Sequence, residues 1–135
     1  MIATFVLAAA LLQTALALPV ALPTVANTQA DVTCGGRASM AAIATCVATT
    51  QATAEAAMEA YNADFERQGW LAADGRDNRI VYVRRKEGGG CDAFQVLAFA
   101  GQNTADPAGP AWLAFATVPG DVCAATPAAP VTPAQ

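Results

Sequence analysis

Cys34, Cys46, Cys91 and Cys123 carry the most distinctive chemistry in this 135-residue chain, which has no Cys-X-X-Cys pair and no histidine. Structural zinc sites are built from closely spaced Cys or His ligands, and thioredoxin-like redox chemistry needs Cys-X-X-Cys, so the spacing argues against a metal centre and against a redox motif. An even number of widely spaced thiols predicts two disulfides. In the chain-entropy model, a bridge from Cys34 to Cys46 would contribute about 3 kcal/mol and one from Cys91 to Cys123 about 3.7 kcal/mol. Together these rival the whole stability of an ordinary domain, about 5–15 kcal/mol, so a stapling role accounts for the cysteines.

Without histidine, the usual general base near neutral pH is missing, and with it the Ser-His and Cys-His catalytic pairs. Ser39 is the only serine and Lys86 the only lysine. A Ser-Lys dyad would need a helix cap to meet a hairpin tip. Carboxylates are the better catalytic candidates: Asp74 and Asp77 flank Arg76, and Asp64 lies close to Glu66. Two acids at a suitable separation can hydrolyse a glycoside. A small acid-residue hydrolase working at the turn around Asp74 and Asp77 is therefore one alternative. Asp74 and Asp77 nevertheless sit among Gly and Asn, where turn formation explains them. Asp64 and Glu66 read as the wet face of a helix, so no catalytic residue is assigned.

Arg76, Arg79, Arg84, Arg85 and Lys86 fall within eleven positions. Strand alternation splits them, since Arg84 points opposite to Arg79 and Arg85, and positive side chains at strand ends also discourage edge pairing. The net charge is −4. That balance argues against general nucleic-acid binding, which relies on a basic footprint. As binding residues the sequence offers Arg76 and Arg79 together with the aromatics Tyr82 and Trp112.

The elements that must hold these residues begin after an uncharged N-terminal stretch. Residues 2–18 form an apolar run broken only by Thr4, Gln13 and Thr14. A membrane-crossing helix needs about 20 apolar residues, so the run suits a signal peptide, at residues 1–17, and leaves no stable membrane span after processing. Small residues occupy the minus-three and minus-one positions before cleavage after Ala17, Ala26 or Ala30, and the first is preferred. Residues 18–33 read as an extended lead-in or short propeptide, 34–123 as one domain, and 124–135 as a disordered Ala/Pro/Thr tail. The expected location is secreted or extracellular, or periplasmic in a bacterium.

Within the domain, Met40, Ile43, Val47, Ala54, Met58, Tyr61 and Phe65 recur at three- and four-residue steps once Thr50 is allowed into the stripe. Ser39 is a possible N-cap, Gly69 a stop, and the threonines near Thr49 a break, which predicts helices over 39–47 and 50–68. Beyond Gly69 the period becomes two, predicting strands over 79–85, 94–100 and 112–118, with a short one over 70–73. Turn signals around Asp74-Gly75, Gly88-Gly89-Gly90 and Gly109-Pro110 separate them. The expected fold is α+β: one or two N-terminal helices packed on a three- to four-stranded antiparallel meander, stapled by disulfides. In a meander Cys91 and Cys123 fall at the same end of the sheet, and Cys34 with Cys46 follows by elimination. The two other connectivities stay open on spacing alone.

Alternation assigns Leu97, Phe99, Leu113 and Phe115 to one sheet face with Val81 and Val83. Phe94, Val96, Trp112, Tyr82 and Ile80 go to the other. Both faces are apolar, so the second requires cover: a helix, the lead-in, a partner subunit or a ligand.

Two patches resemble the small secreted necrosis-inducing, killer-toxin-like effectors of fungi. One runs from Cys34 through Ala38-Ser39 to Cys46; the other is Gly90-Cys91-Asp92-Ala93-Phe94-Gln95-Val96. Met40 stands where that family has proline, and Thr45 where it has an acid. The resemblance implies a secreted α/β effector acting on another organism, and brings no enzymatic residues. The expectation is a secreted, non-catalytic binding or effector protein, without cofactor, meeting a protein or glycan at a cell surface as a monomer or homodimer. A homodimerising envelope module is a further alternative.

Overall fold

A computed structural model describes residues 17–123. Residues 1–16 of the expected signal peptide at 1–17, and the expected tail at 124–135, lie outside the described residues. The described elements are β1 (Gln29–Ala30), α1 (Ala38–Ala41), β2 (Thr45–Thr50), α2 (Gln51–Arg67), β3 (Leu71–Arg76), β4 (Arg79–Arg85), β5 (Cys91–Ala100) and β6 (Pro110–Val118). The strands form one antiparallel six-stranded sheet in the order β1-β2-β6-β5-β4-β3.

This corrects the expected helical layer on a three- to four-stranded meander. Residues 39–47 hold only the last three residues of the four-residue α1 and the start of a strand. Thr45, Val47 and Thr49 are β-branched and alternate. In β2 they place Val47 opposite Leu113 in the core, a better fit than a threonine-rich helix. The 17-residue α2 is therefore not an N-terminal layer. It is a crossover, carrying the chain from β2 across the sheet to its far edge at β3.

Both ends of α2 are closed locally. The first helical amides, of Gln51 and Ala52, donate to the carbonyls of Gly109 and Pro107, and the Thr53 hydroxyl accepts from the Thr50 amide. At the other end Gly69 takes φ +91°, its amide donates to Glu66 O, and the Trp70 amide donates to Phe65 O. That double bond is a Schellman stop, and it drives Trp70 into the core. The Arg84 guanidinium lies 4.4 Å from the Trp70 ring and donates to Gln68 O, placing a cation at the carbonyl end of the helix.

Ala57, Tyr61 and Phe65 form the buried stripe of α2. Phe65 sits at the centre of an aromatic cluster, with ring centroids 5.1 Å from Tyr82 and 5.0 Å from Phe94, both edge-on. Tyr61 meets Phe115 at 4.9 Å. The register of β5 on β6 puts Leu113 and Phe115 on this helix-facing side with Phe94 and Val96, and Trp112 on the other side with Leu97 and Phe99. The sequence reading had Trp112 exchanged with Leu113 and Phe115. A slip of one residue in one strand produces that exchange, because side chains alternate.

The expected lead-in, residues 18–33, packs as part of the domain. Val20 and Val25 are core residues, Leu18 and Leu22 pack against them, and β1 pairs with β2.

Candidate binding surface

The second sheet face is covered in part from within. Cys34 is bonded to Cys46 and Cys91 to Cys123. The Cys34–Cys46 bridge closes the loop that carries α1, and this loop lies over β6 and β5. Cys34, Cys46 and Ala114 form a small second core, with Met40, Ala41, Ala44, Leu97 and Phe99 around it.

An aspartate braces each bridge. Asp31 accepts hydrogen bonds from the Thr33 amide at 2.9 Å, the Thr33 hydroxyl at 2.6 Å, the Gly35 amide at 3.1 Å and the Trp112 indole N–H at 2.9 Å. The Thr33 hydroxyl, followed by the Thr33 and Gly35 amides, lowers the Asp31 pKa from 3.8 to about 2. Asp121 accepts from the amides of Cys91 and Cys123, at 2.9 and 3.0 Å. Both carboxylates thus hold backbone next to sulfur.

The cover loop also lies on aromatic side chains. Phe99 and Trp112 stack across β5 and β6 with centroids 5.4 Å apart, and the Arg37 guanidinium sits 4.4 Å above Phe99. Gly35, at φ +68°, passes so close to Trp112 that a Cβ there would lie 2.8 Å from the indole. Only glycine allows that approach at that backbone angle.

Beside the loop, the sheet face remains open. Met40 and Ile43 from the loop, with Arg79, Gln95, Leu97, Ala114 and Ala116 from the sheet, line a groove of about 250 Å³. Three large apolar residues stand out as exposed: Val32 at 90%, Ile43 at 54% and Leu71 at 67%. Two of them, Val32 and Ile43, belong to the segment that covers the sheet, so this segment displays apolar surface on its outer side as well as burying it on the inner side.

The four residues offered as binding groups do not come together. Tyr82 is fully buried beneath α2, where its hydroxyl donates to Asn62 Oδ1 at 2.8 Å, and burial followed by the charge of Glu66 pushes its pKa up to about 12. It is a core residue. Trp112 lies on the opposite face under Gly35, half-buried. A joint Tyr82–Trp112 face is thereby replaced. Arg79 lines the groove beside Ile43, and Arg76 pairs across from it on β3. Helical periodicity puts Met40 and Ile43 on one stripe, but on the cystine-closed loop Met40 packs against the second core while Ile43 is exposed.

The other candidates sit apart. Asp74 and Asp77 lie in the exposed β3–β4 hairpin, with Asp77 at φ +55° in its turn. Lys86 approaches Asp92 at 3.8 Å, whereas Ser39 is exposed within α1. Among the described residues no three His, Cys, Asp or Glu side chains are grouped to hold a metal ion, and no helix is long and apolar enough to cross a membrane. No protein-family model, curated protein or solved structure matches the chain, so the functional reading rests on the site itself.

Proposed function

We propose that this small disulfide-stabilised protein is exported and works as a non-catalytic binding protein, through the cystine-closed cover loop and the groove beside it. The observation that carries this reading is the exposed Ile43, held on a covalently clamped loop at the rim of a groove floored by Leu97 and bordered by Arg79 and Gln95. A rigid loop bearing an exposed aliphatic anchor next to one cation loses little freedom on binding, which is how short interfaces reach useful affinity. The partner is a protein or glycan at a cell surface. Export supplies the oxidising compartment in which both bridges persist. The cysteine-bracketed patch that resembles the fungal effectors falls on this same loop, and an effector is one form such a binder takes.

Fluorescently labelled protein should bind intact target cells saturably, and Ile43→Asp or Arg79→Glu should weaken that binding roughly tenfold or more, equivalent to about 1.4 kcal/mol. Equal binding by both variants and the wild type would remove the groove from the account. A second reading, hydrolysis by Asp74 and Asp77, has only the exposed hairpin in its favour.

A further inference from the structure

The N-terminal stretch offers three places where small residues would suit a leader peptidase, after Ala17, Ala26 and Ala30, and the fold discriminates among them. Val20 is 7% exposed and Val25 8%, both within the main core. Gln68, at the end of α2, clasps the backbone of Ala21 from both sides: its Oε1 accepts from the Ala21 amide at 3.3 Å, and its Nε2 donates to the Ala21 carbonyl at 2.8 Å. Further along, the Thr49 hydroxyl donates to Asn27 O at 2.8 Å, and the Thr28 hydroxyl to Val25 O at 2.7 Å. β1 then covers the edge of β2.

Cleavage after Ala26 would remove Val20, Val25 and the Ala21 clasp. Cleavage after Ala30 would also remove β1 and leave the β-branched edge of β2 unpaired, an invitation to aggregation. Cleavage after Ala17 removes none of these groups, and Ala17 itself is exposed. We propose that the leader is removed by hydrolysis of the Ala17–Leu18 peptide bond, and that residues 18–30 stay as a permanent part of the domain rather than a propeptide. Water provides the hydroxyl of the new Ala17 carboxyl group and a proton for the new Leu18 amine, with a leader peptidase as catalyst. The proposal rests on the exported reading above.

The test is to express the full chain in a secreting host and determine the N-terminus of the exported product by intact mass and peptide sequencing. The expected product starts at Leu18. Ala17→Tyr should block or displace the cut, whereas Ala26→Tyr and Ala30→Tyr should leave the start at Leu18, all three being exposed positions. A product starting at Asn27 or Asp31 overturns the proposal while leaving export intact. A full-length chain retained inside the cell overturns export and the cut together. Stability gives an independent arm: the exported double variant Val20→Ala/Val25→Ala should melt roughly 10 °C or more below the wild type. An unchanged Tm would contradict a permanent role for this segment.

Discussion

The indole N–H of Trp112 on β6 donates to Oδ2 of Asp31 at 2.9 Å, across 81 positions of sequence. This bond ties the start of the cover loop to the sheet beneath it. Because ionised Asp31 is the form that accepts it, along with the bonds from Thr33 and Gly35, the folded state holds the carboxyl pKa at about 2 against an ordinary 3.8. A depressed carboxylate pKa stabilises the fold fully above the unfolded value and loses that contribution as pH falls through the folded one. Thermal melts should therefore show stability declining from near pH 4 towards pH 2 in the wild type. Asp31→Ala should lower the Tm at pH 7 and flatten that acid limb.

Gly35→Ala should destabilise by about 1–3 kcal/mol in urea titrations, since the new methyl meets the Trp112 ring at a positive φ. Gly36→Ala provides the control. It shares a positive φ, at +79°, but nothing lies within 4 Å of its Cβ, so only the smaller backbone penalty applies.

Phe65→Ala removes the ring on which Tyr61, Tyr82, Phe94 and Phe115 converge. Emptying that position should cost about 3–5 kcal/mol, a large part of the stability of a domain this size. Loss of near-ultraviolet circular dichroism at a lower urea midpoint would report it.

Tyr82→Phe isolates a smaller term, the hydroxyl that Asn62 accepts from at 2.8 Å. Its removal should cost about 0.5–1.5 kcal/mol at neutral pH. Since the folded pKa is raised to about 12 from 10, the wild type should lose stability as pH rises from 10 towards 12, and Tyr82→Phe should lose less over that window. Urea midpoints measured across it check the sign.

Much of the main core was legible in the sequence. The step from Met58 to Tyr61 to Phe65 marks the buried stripe of α2, and Gly69 marks its end, because a long periodic run with a glycine stop has few other solutions. β4, β5 and β6 show their alternation directly. The segment 39–50 does not, since Met40, Ile43 and Val47 satisfy helical spacing while Thr45, Val47 and Thr49 satisfy strand spacing. Short apolar runs of that kind are settled by long-range pairing, here Val47 opposite Leu113. The candidate site was hidden for the same reason. Ile43 becomes a surface anchor only because residues 42–44 neither continue α1 nor join β2, and Trp112 changes face on a one-residue register that the long β5–β6 connection leaves unspecified.

The account depends most on the Cys34–Cys46 bridge, which holds the cover loop over the second sheet face and presents Ile43 and Arg79 as one surface. Proteolytic peptide mapping of the unreduced, exported protein by mass spectrometry tests it most directly. The predicted result is two cystine peptides, one joining Cys34 to Cys46 and the other Cys91 to Cys123. A peptide joining Cys34 to Cys91 or to Cys123, or four free thiols in the folded protein, would contradict it.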